Sequence, residues 1–179
     1  MKEKGLVKSI VTIFVAALIL FVSNKGLAGM EKANRERYLQ ELLPYILPGS
    51  STFTSEEVGQ EEEMIKAVYK AETGYVIHTA ANGYVNEIEL LVGVDHGGEV
   101  KGLSICRQQE TFGLGAGVQT NVAFLQQYLG TSGEAETGST VDALTGATVS
   151  SKAVSKGVNA AVAYVTGADI SSGATTWGG

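Results

Sequence analysis

The first 28 residues, MKEKGLVKSIVTIFVAALILFVSNKGLA, set an uncharged Ile/Val/Phe/Leu/Ala run from Ser9 to Ser23 behind Lys2, Lys4 and Lys8. At ~1.5 Å per residue the run reaches about 22 Å; Leu6, Val7 and a snorkelling Lys8 close most of the gap to a ~30 Å hydrocarbon core. The pattern predicts a retained single-span anchor or a signal peptide cleaved near Gly26-Leu27-Ala28. In both cases the lysines keep the N-terminus cytoplasmic and the body is exported. No Cys follows the run, which excludes a lipoprotein anchor.

Residues 30–47 have the helical period, with Tyr38, Leu39, Leu42, Leu43 and Ile46 near one face. Pro44 is a kink or an early end, and Pro48-Gly49 a stop. Ser50–Glu63 is polar and acidic and predicts a loop or surface segment. Its Glu61-Glu62-Glu63 run reads as a solvated face, because hard cations need converging oxygens rather than a linear run.

The period then changes to two. Ala67–Glu72 and Tyr75–Ala80 flank Thr73-Gly74 as a hairpin, and Ile88, Leu90, Val92 and Val94 mark Asn86–Val94 as a half-buried strand. Asp95-His96-Gly97-Gly98 is a turn, and Val100–Gln108 the next strand. A helix with Val118, Val122, Leu125 and Leu129 on one stripe follows, then a Gly/Ser/Thr/Glu-rich loop over 130–140. A last helix over about Ser150–Val165 carries Val154, Val158, Ala161 and Val165 on one face. Strands come before helices, without βαβ alternation. The expectation is an α+β fold: an antiparallel meander sheet with flanking helices, preceded by one N-terminal transmembrane helix.

Composition narrows the function. One cysteine excludes an internal disulfide framework and argues against a Cys-built zinc site; it also suits an oxidising compartment, where spare thiols are a liability. The net charge is −6, but Lys2, Lys4, Lys8 and Lys25 against Glu3 make the leader +3, which leaves −9 for the body. An acidic body lacks the Lys/Arg clusters that phosphate backbones need, so nucleic acid is excluded as a partner.

The two histidines, His78 in a strand and His96 in a turn, read as structural, and Cys106 as a small buried hydrophobe. No Ser-His-Asp or Cys-His arrangement is recognisable, and no carboxylate pair is singled out by an apolar setting, so a hydrolase is a weak reading. Gly113-Leu114-Gly115-Ala116-Gly117 follows no parallel strand, which argues against a dinucleotide fingerprint. It reads either as a tight strand-to-helix turn or as backbone left bare for a flat ligand. Asp142-Ala143-Leu144-Thr145-Gly146-Ala147-Thr148 leads directly into the last helix, with the hydroxyls of Thr145, Thr148, Ser150 and Ser151 crowding its start. Such a helix start is either a plain N-cap with spare serines or a seat for an anion.

That segment resembles the Asp-x-x-(Ser/Thr)-Gly-Ala-Thr pattern of the domains that carry FMN covalently, and Glu110-Thr111-Phe112-Gly113-Leu114-Gly115 is similar to the same family's Glu-Thr-Pro-Gly-Leu-Gly. Gly83-Tyr84, the run Ile88–Asp95, Gly98 and Val100-Lys101-Gly102 are similar to the strands before that motif. The order agrees over about residues 67–165. With its short leader the whole resembles the G-type subunits of the Rnf ion-translocating ferredoxin:NAD oxidoreductases, to which the usually longer C-type subunits of the Nqr complexes are related.

The resemblance implies an FMN phosphoester on Thr148, installed by a flavin transferase that uses FAD. It implies a recognition pattern of Asp142, Thr145, Gly146 and Ala147, and flavin surroundings of Glu110, Thr111, Gly113, Leu114 and Gly115. It implies no metal and no acid–base or nucleophilic catalytic residue, because the cofactor carries the electrons. The expected organisation is a cytoplasmic tip and anchor over 1–28, a connecting helix and acidic loop over 29–63, the FMN-binding domain over 64–166 and a flexible tail over 167–179. The expected function is an electron-carrying component of a membrane-bound ferredoxin:NAD oxidoreductase that couples electron transfer to ion translocation. The other subunits of that complex would be its partners, and the FMN domain would lie on the extracytoplasmic side of the cell membrane. Two alternatives stay open: another extracytoplasmic FMN electron carrier, and a cofactor-free anchored binding module. Phe112 stands where the family has Pro, which leaves the loop's rigidity open. Asp169-Ile170-Ser171-Ser172-Gly173-Ala174-Thr175 also fits the acceptor pattern, but Thr176-Trp177-Gly178-Gly179 rather than a helix follows it.

Overall fold

A computed structural model describes residues 13–15, 30, 33–59 and 63–168. The chain divides into two units, Met1–Glu41 and Leu42–Gly179. Most of the Ser9–Ser23 run and all of the Asp169–Thr175 pattern lie outside the described residues. Among the described residues no helix is long and apolar enough to cross a membrane.

Residues 33–46 are helical (α1) and stop before Pro48-Gly49; Pro44 lies within the helix rather than ending it. Leu39, Leu43 and Ile46 are buried, whereas Tyr38, expected on the same face, is exposed.

The second unit is built on an antiparallel meander of five strands in the order β1-β2-β3-β4-β5. These are β1 (Thr54–Glu56), β2 (Ile65–Lys70), β3 (Gly74–Asn82), β4 (Glu87–Asp95) and β5 (Val100–Arg107). The β2–β3 hairpin and the Asp95–Gly98 turn stand where the glycines put them. In the latter, Asp95 Oδ1 accepts from the N–H groups of Gly97 and Glu99, both at 2.9 Å. Within Ser50–Glu63, expected as a loop or surface segment, β1 is a largely exposed edge strand that the sequence reading does not separate. It is three polar residues long, and its backbone pairing to β2 needs no apolar alternation.

α4 (Thr148–Thr166) packs on β3 and β4. Val154, Val158, Ala161 and Val162 meet Ile77, Ile88, Leu90, Val92 and Ile105 in the core. The stripe expected to be one helix over Val118–Leu129 is two short ones, α2 (Gly117–Thr120) and α3 (Val122–Gln126). Asn121 breaks them, because its extended backbone lets its side chain cap α3 by accepting from Phe124 N–H at 3.0 Å. The break changes the buried set to Val118, Phe124 and Tyr128, while Val122 and Leu129 are left exposed. The Tyr128 hydroxyl shares a 3.0 Å hydrogen bond with Ser155 of α4, and burial pushes its pKa up to about 12 despite that bond.

β4 is not half-buried, as its alternation suggests, but buried on both faces. Leu90 and Val92 face α4; Leu91 and, from β3, Val76 are fully buried on the other side. The end of α1 closes against that second face at a glycine pair. Gly93 and Gly102 are register partners, and a Cβ on either would lie 2.3 Å or 2.1 Å from the carbonyl oxygen of Ile46. Backbone meets backbone there, so nothing flexible can give way. Gly102→Ala is therefore expected to destabilise the protein by about 1–3 kcal/mol. Urea unfolding measures it: a midpoint equal to wild type would mean that the α1–sheet contact is not tight.

Candidate functional site

Three segments far apart in sequence are drawn together by one carboxylate. The β3–β4 turn points its N–H groups inward: Tyr84 N–H donates to Glu110 Oε2 at 3.1 Å, and Val85 and Asn86 donate to Oε1 at 2.9 and 3.3 Å. From α4, the Ser150 hydroxyl donates to Oε2 at 2.5 Å. Glu110 is 8% exposed. Burial pushes its pKa up, but the Ser150 hydroxyl and the N–H groups of Val85, Asn86 and Tyr84 outweigh burial and hold it below the ordinary glutamate value. The carboxylate leaves no room for a side chain at its two glycine neighbours: a Cβ on Gly83 would lie 2.6 Å from Oε1, and one on Gly115 would lie 2.8 Å from Oε2 and 2.5 Å from the Ser150 hydroxyl.

Beyond Glu110 the chain makes a tight turn. Leu114 and Ala116 N–H both donate to the Thr111 carbonyl at 3.1 Å, and Gly113 takes the left-handed conformation at φ +78°. The turn is thus hydrogen-bonded with Phe112 in place of a proline, and the Phe112 ring is 96% exposed. The second segment ends in a similar way. Ala147 N–H donates to Leu144 O at 2.9 Å through Gly146 at φ +74°, where a Cβ would strike the Leu114 side chain at 2.9 Å. Ser151 accepts from Leu144 N–H at 3.1 Å and so ties this loop to α4.

Two of the four hydroxyls at the start of α4 are therefore structural. Ser150 and Ser151 are buried and bonded inward, whereas Thr145 and Thr148 face solvent. Thr148 is the first residue of α4. The N-cap is Ala147, and no side chain caps the helix. A helix start without a capping oxygen leaves its first N–H groups and its positive dipole end for an outside acceptor.

Between the segments lies an open cleft of about 420 Å³ lined by Tyr84, Glu110, Thr111, Leu114, Gly115 and 146–150. It thus brings together Thr148, Gly146, Ala147, Glu110, Thr111, Leu114 and Gly115 from the set the sequence singles out. Asp142, Thr145 and Gly113 are not among its walls; the Asp142 backbone is instead held by Gln127, whose Oε1 accepts from Asp142 N–H at 2.8 Å. Sequence reasoning misses Tyr84, Val149 and Ser150 as walls. The signal for Tyr84 is an aromatic ring in a glycine turn, and it is 75% exposed.

The match to known proteins falls on this construction. Residues 83–163 match the model of the FMN-binding domain, from the first glycine of the β3–β4 turn into α4. The chain is 32% identical to the G-type subunit of the Na(+)-translocating ferredoxin:NAD(+) oxidoreductase complex of Acetobacterium woodii, over 59% of this chain and 58% of that protein. It is 40% identical to the G-type subunit of the proton-translocating complex of Clostridium ljungdahlii, over 51% of this chain and 53% of that protein. It thus spans little more than half the length of these two relatives. With the G-type subunit of the ion-translocating oxidoreductase complex of Methanosarcina acetivorans it is 29% identical over 90% of this chain and 93% of that one. These relatives support the resemblance to the G-type subunits.

The cleft fits an FMN. Apolar Leu114 and Val149 and the ring of Tyr84 suit a flat heterocycle, and the uncapped helix start suits a phosphate. The cleft thus depends on Glu110 for its shape. A group with a depressed pKa contributes stability that is complete above the ordinary value of ~4.3 and disappears as pH falls through the folded-state value. Glu110→Gln is expected to cost about 2–3 kcal/mol at pH 7, since a buried charged acceptor of four donors is lost. It should also flatten the loss of stability below pH ~4.3. Urea titrations across that range check both; an acid limb as steep as wild type would assign it to other carboxylates.

Proposed function

We propose that this chain is the electron-carrying flavoprotein subunit of a membrane-bound ferredoxin:NAD oxidoreductase that couples electron transfer to ion translocation, with FMN esterified to Thr148. The observation that carries the reading is exposed Thr148 at the uncapped start of α4, on the wall of a cleft with apolar sides, within the stretch that matches the FMN-binding domain. Ala147 and left-handed Gly146 leave that hydroxyl unobstructed, and Asp142 and Thr145 on the approach serve as the pattern that the flavin transferase reads. FMN supplies reversible electron transfer when bound. The protein tethers it through the phosphate, with helix N–H groups facing the anion, and offers Leu114, Val149 and Tyr84 to the ring. No acid or base from this chain is required.

The rest of the arrangement belongs to the same proposal. Residues 1–28 anchor the chain by a single span with the N-terminus cytoplasmic, 29–63 connect, 64–166 hold the flavin outside the membrane, and 167–179 form a tail. The other subunits of the complex and the transferase are its partners. Two of the relatives are named as components of ferredoxin:NAD(+) oxidoreductases, which supports this reading over a free-standing carrier.

Co-expression with a flavin transferase tests the attachment. The wild-type chain is expected to gain the mass of FMN less one water and to fluoresce in a denaturing gel, and Thr148→Ala to do neither. Peptide mapping that finds the flavin on another residue of a fluorescent Thr148→Ala chain would refute the assignment. Co-purification of the tagged chain with multi-span membrane subunits tests the assembly; isolation alone under mild detergent would favour a separate carrier.

A further inference from the structure

The face of the sheet opposite α4 carries a second cluster of reactive side chains. Thr79 and Leu90 are the residues that a Cβ on Gly157 of α4 would strike, so alternation turns His78 of β3 and Glu89 of β4 to the other side. Cys106 of β5 joins them through a break in register. Glu89 pairs with Arg107 and Leu90 with Ile105, which leaves Cys106 as the extra residue of a β-bulge. Bulges re-aim side chains in this way, often beside functional sites. His78 and Glu89 are buried and Cys106 half-buried.

The three donor atoms converge. His78 Nε2 is 3.1 Å from Glu89 Oε2 and 3.7 Å from Cys106 Sγ, and all three atoms lie within 4.8 Å of one another. Both contacts fall on the same ring nitrogen. A nucleophile relay would set thiol and carboxylate on opposite nitrogens, so the arrangement is wrong for a Cys-His-Glu triad. It is right for chelation. A tetrahedral zinc ion with ordinary bond lengths holds N, O and S donors about 3.3–3.6 Å apart, within a few tenths of an ångström of the two separations from His78 Nε2.

We propose that His78, Glu89 and Cys106 form a binding site for a borderline divalent cation of the zinc class, independent of the flavin site. One imidazole, one thiolate and one carboxylate select such an ion over calcium or magnesium, which need several hard oxygens. The fourth position is left for water, reached past the half-exposed Cys106. Without metal, Cys106 S–H donates to the Glu89 carbonyl at 3.4 Å and His78 shares a hydrogen with Glu89 Oε2. Metal binding breaks the S–H bond, releases that proton to solvent and moves the imidazole hydrogen to Nδ1; the metal keeps its oxidation state. Arg107 stays on the second carboxylate oxygen, Oε1, at 3.2 Å and orients it.

Titration of the reduced, full-length chain with Co2+ is the test, followed by difference spectra so that flavin absorbance cancels. One equivalent is expected to give a thiolate-to-cobalt charge-transfer band and the strong visible bands of four-coordination, displaced by one equivalent of Zn2+. Cys106→Ser should abolish the charge-transfer band while melting within a few degrees of the metal-free wild type, and Glu89→Gln should weaken Co2+ binding at least tenfold. Absence of the band at one equivalent, or its survival in Cys106→Ser, overturns the proposal.

Discussion

The Glu110 carboxylate is the constraint from which the cleft follows. A buried carboxylate is costly unless every lone pair is used, and here backbone N–H groups from a turn and a hydroxyl from a helix use them. Four charge-assisted bonds of about 1.5–3 kcal/mol each set against desolvation are enough to hold three segments that share no secondary structure. The geometry propagates outward. Because the carboxylate lies against them, Gly83 and Gly115 have no room for a side chain. Because Ser150 is turned inward to meet it, the start of α4 is rotated so that Thr148 faces the cleft. One interaction thus sets both the wall and the exposed hydroxyl.

The strands are legible in the sequence because their signals are local. Alternation over Asn86–Val94 and glycine turns at Thr73-Gly74 and Asp95–Gly98 locate β3, β4 and β5 within a residue or two. What is not legible depends on partners distant in sequence. β1 exists only by pairing with β2, and the second buried face of β4 exists because the end of α1 rests on Gly93 and Gly102. The split between α2 and α3 turns on a single Asn121 whose capping role needs the backbone conformation to be known. The candidate site divides the same way: both motifs are visible as strings, but Tyr84 enters the cleft only because Glu110 gathers the turn that carries it.

His78 and Cys106 show the same limit from the other side. Each reads as inert in the sequence: His78 has no second ligand at helical spacing, and Cys106 reads as a small hydrophobe in a strand. Their nearness is made by strand register and by one extra residue in β5, neither of which a periodicity of two reveals. Glu89, the polar residue in the buried run of β4, is the trace left in the sequence. A charge in the middle of a strand buried on both faces needs partners, and Arg107 and His78 supply them.

The open form of the cleft suits a tether rather than tight non-covalent binding. An anion at a helix start gains about 0.3–1 kcal/mol, up to ~2 in partly buried sites. Retaining a ligand at nanomolar level takes about 12 kcal/mol. A cleft whose apolar walls, Tyr84, Leu114 and Val149, are all exposed supplies only part of the difference. On the proposed reading, an ester at Thr148 removes the need for affinity altogether. The walls then have only to orient a ring held in place, and their exposure becomes useful: a donor and an acceptor can both approach the flavin.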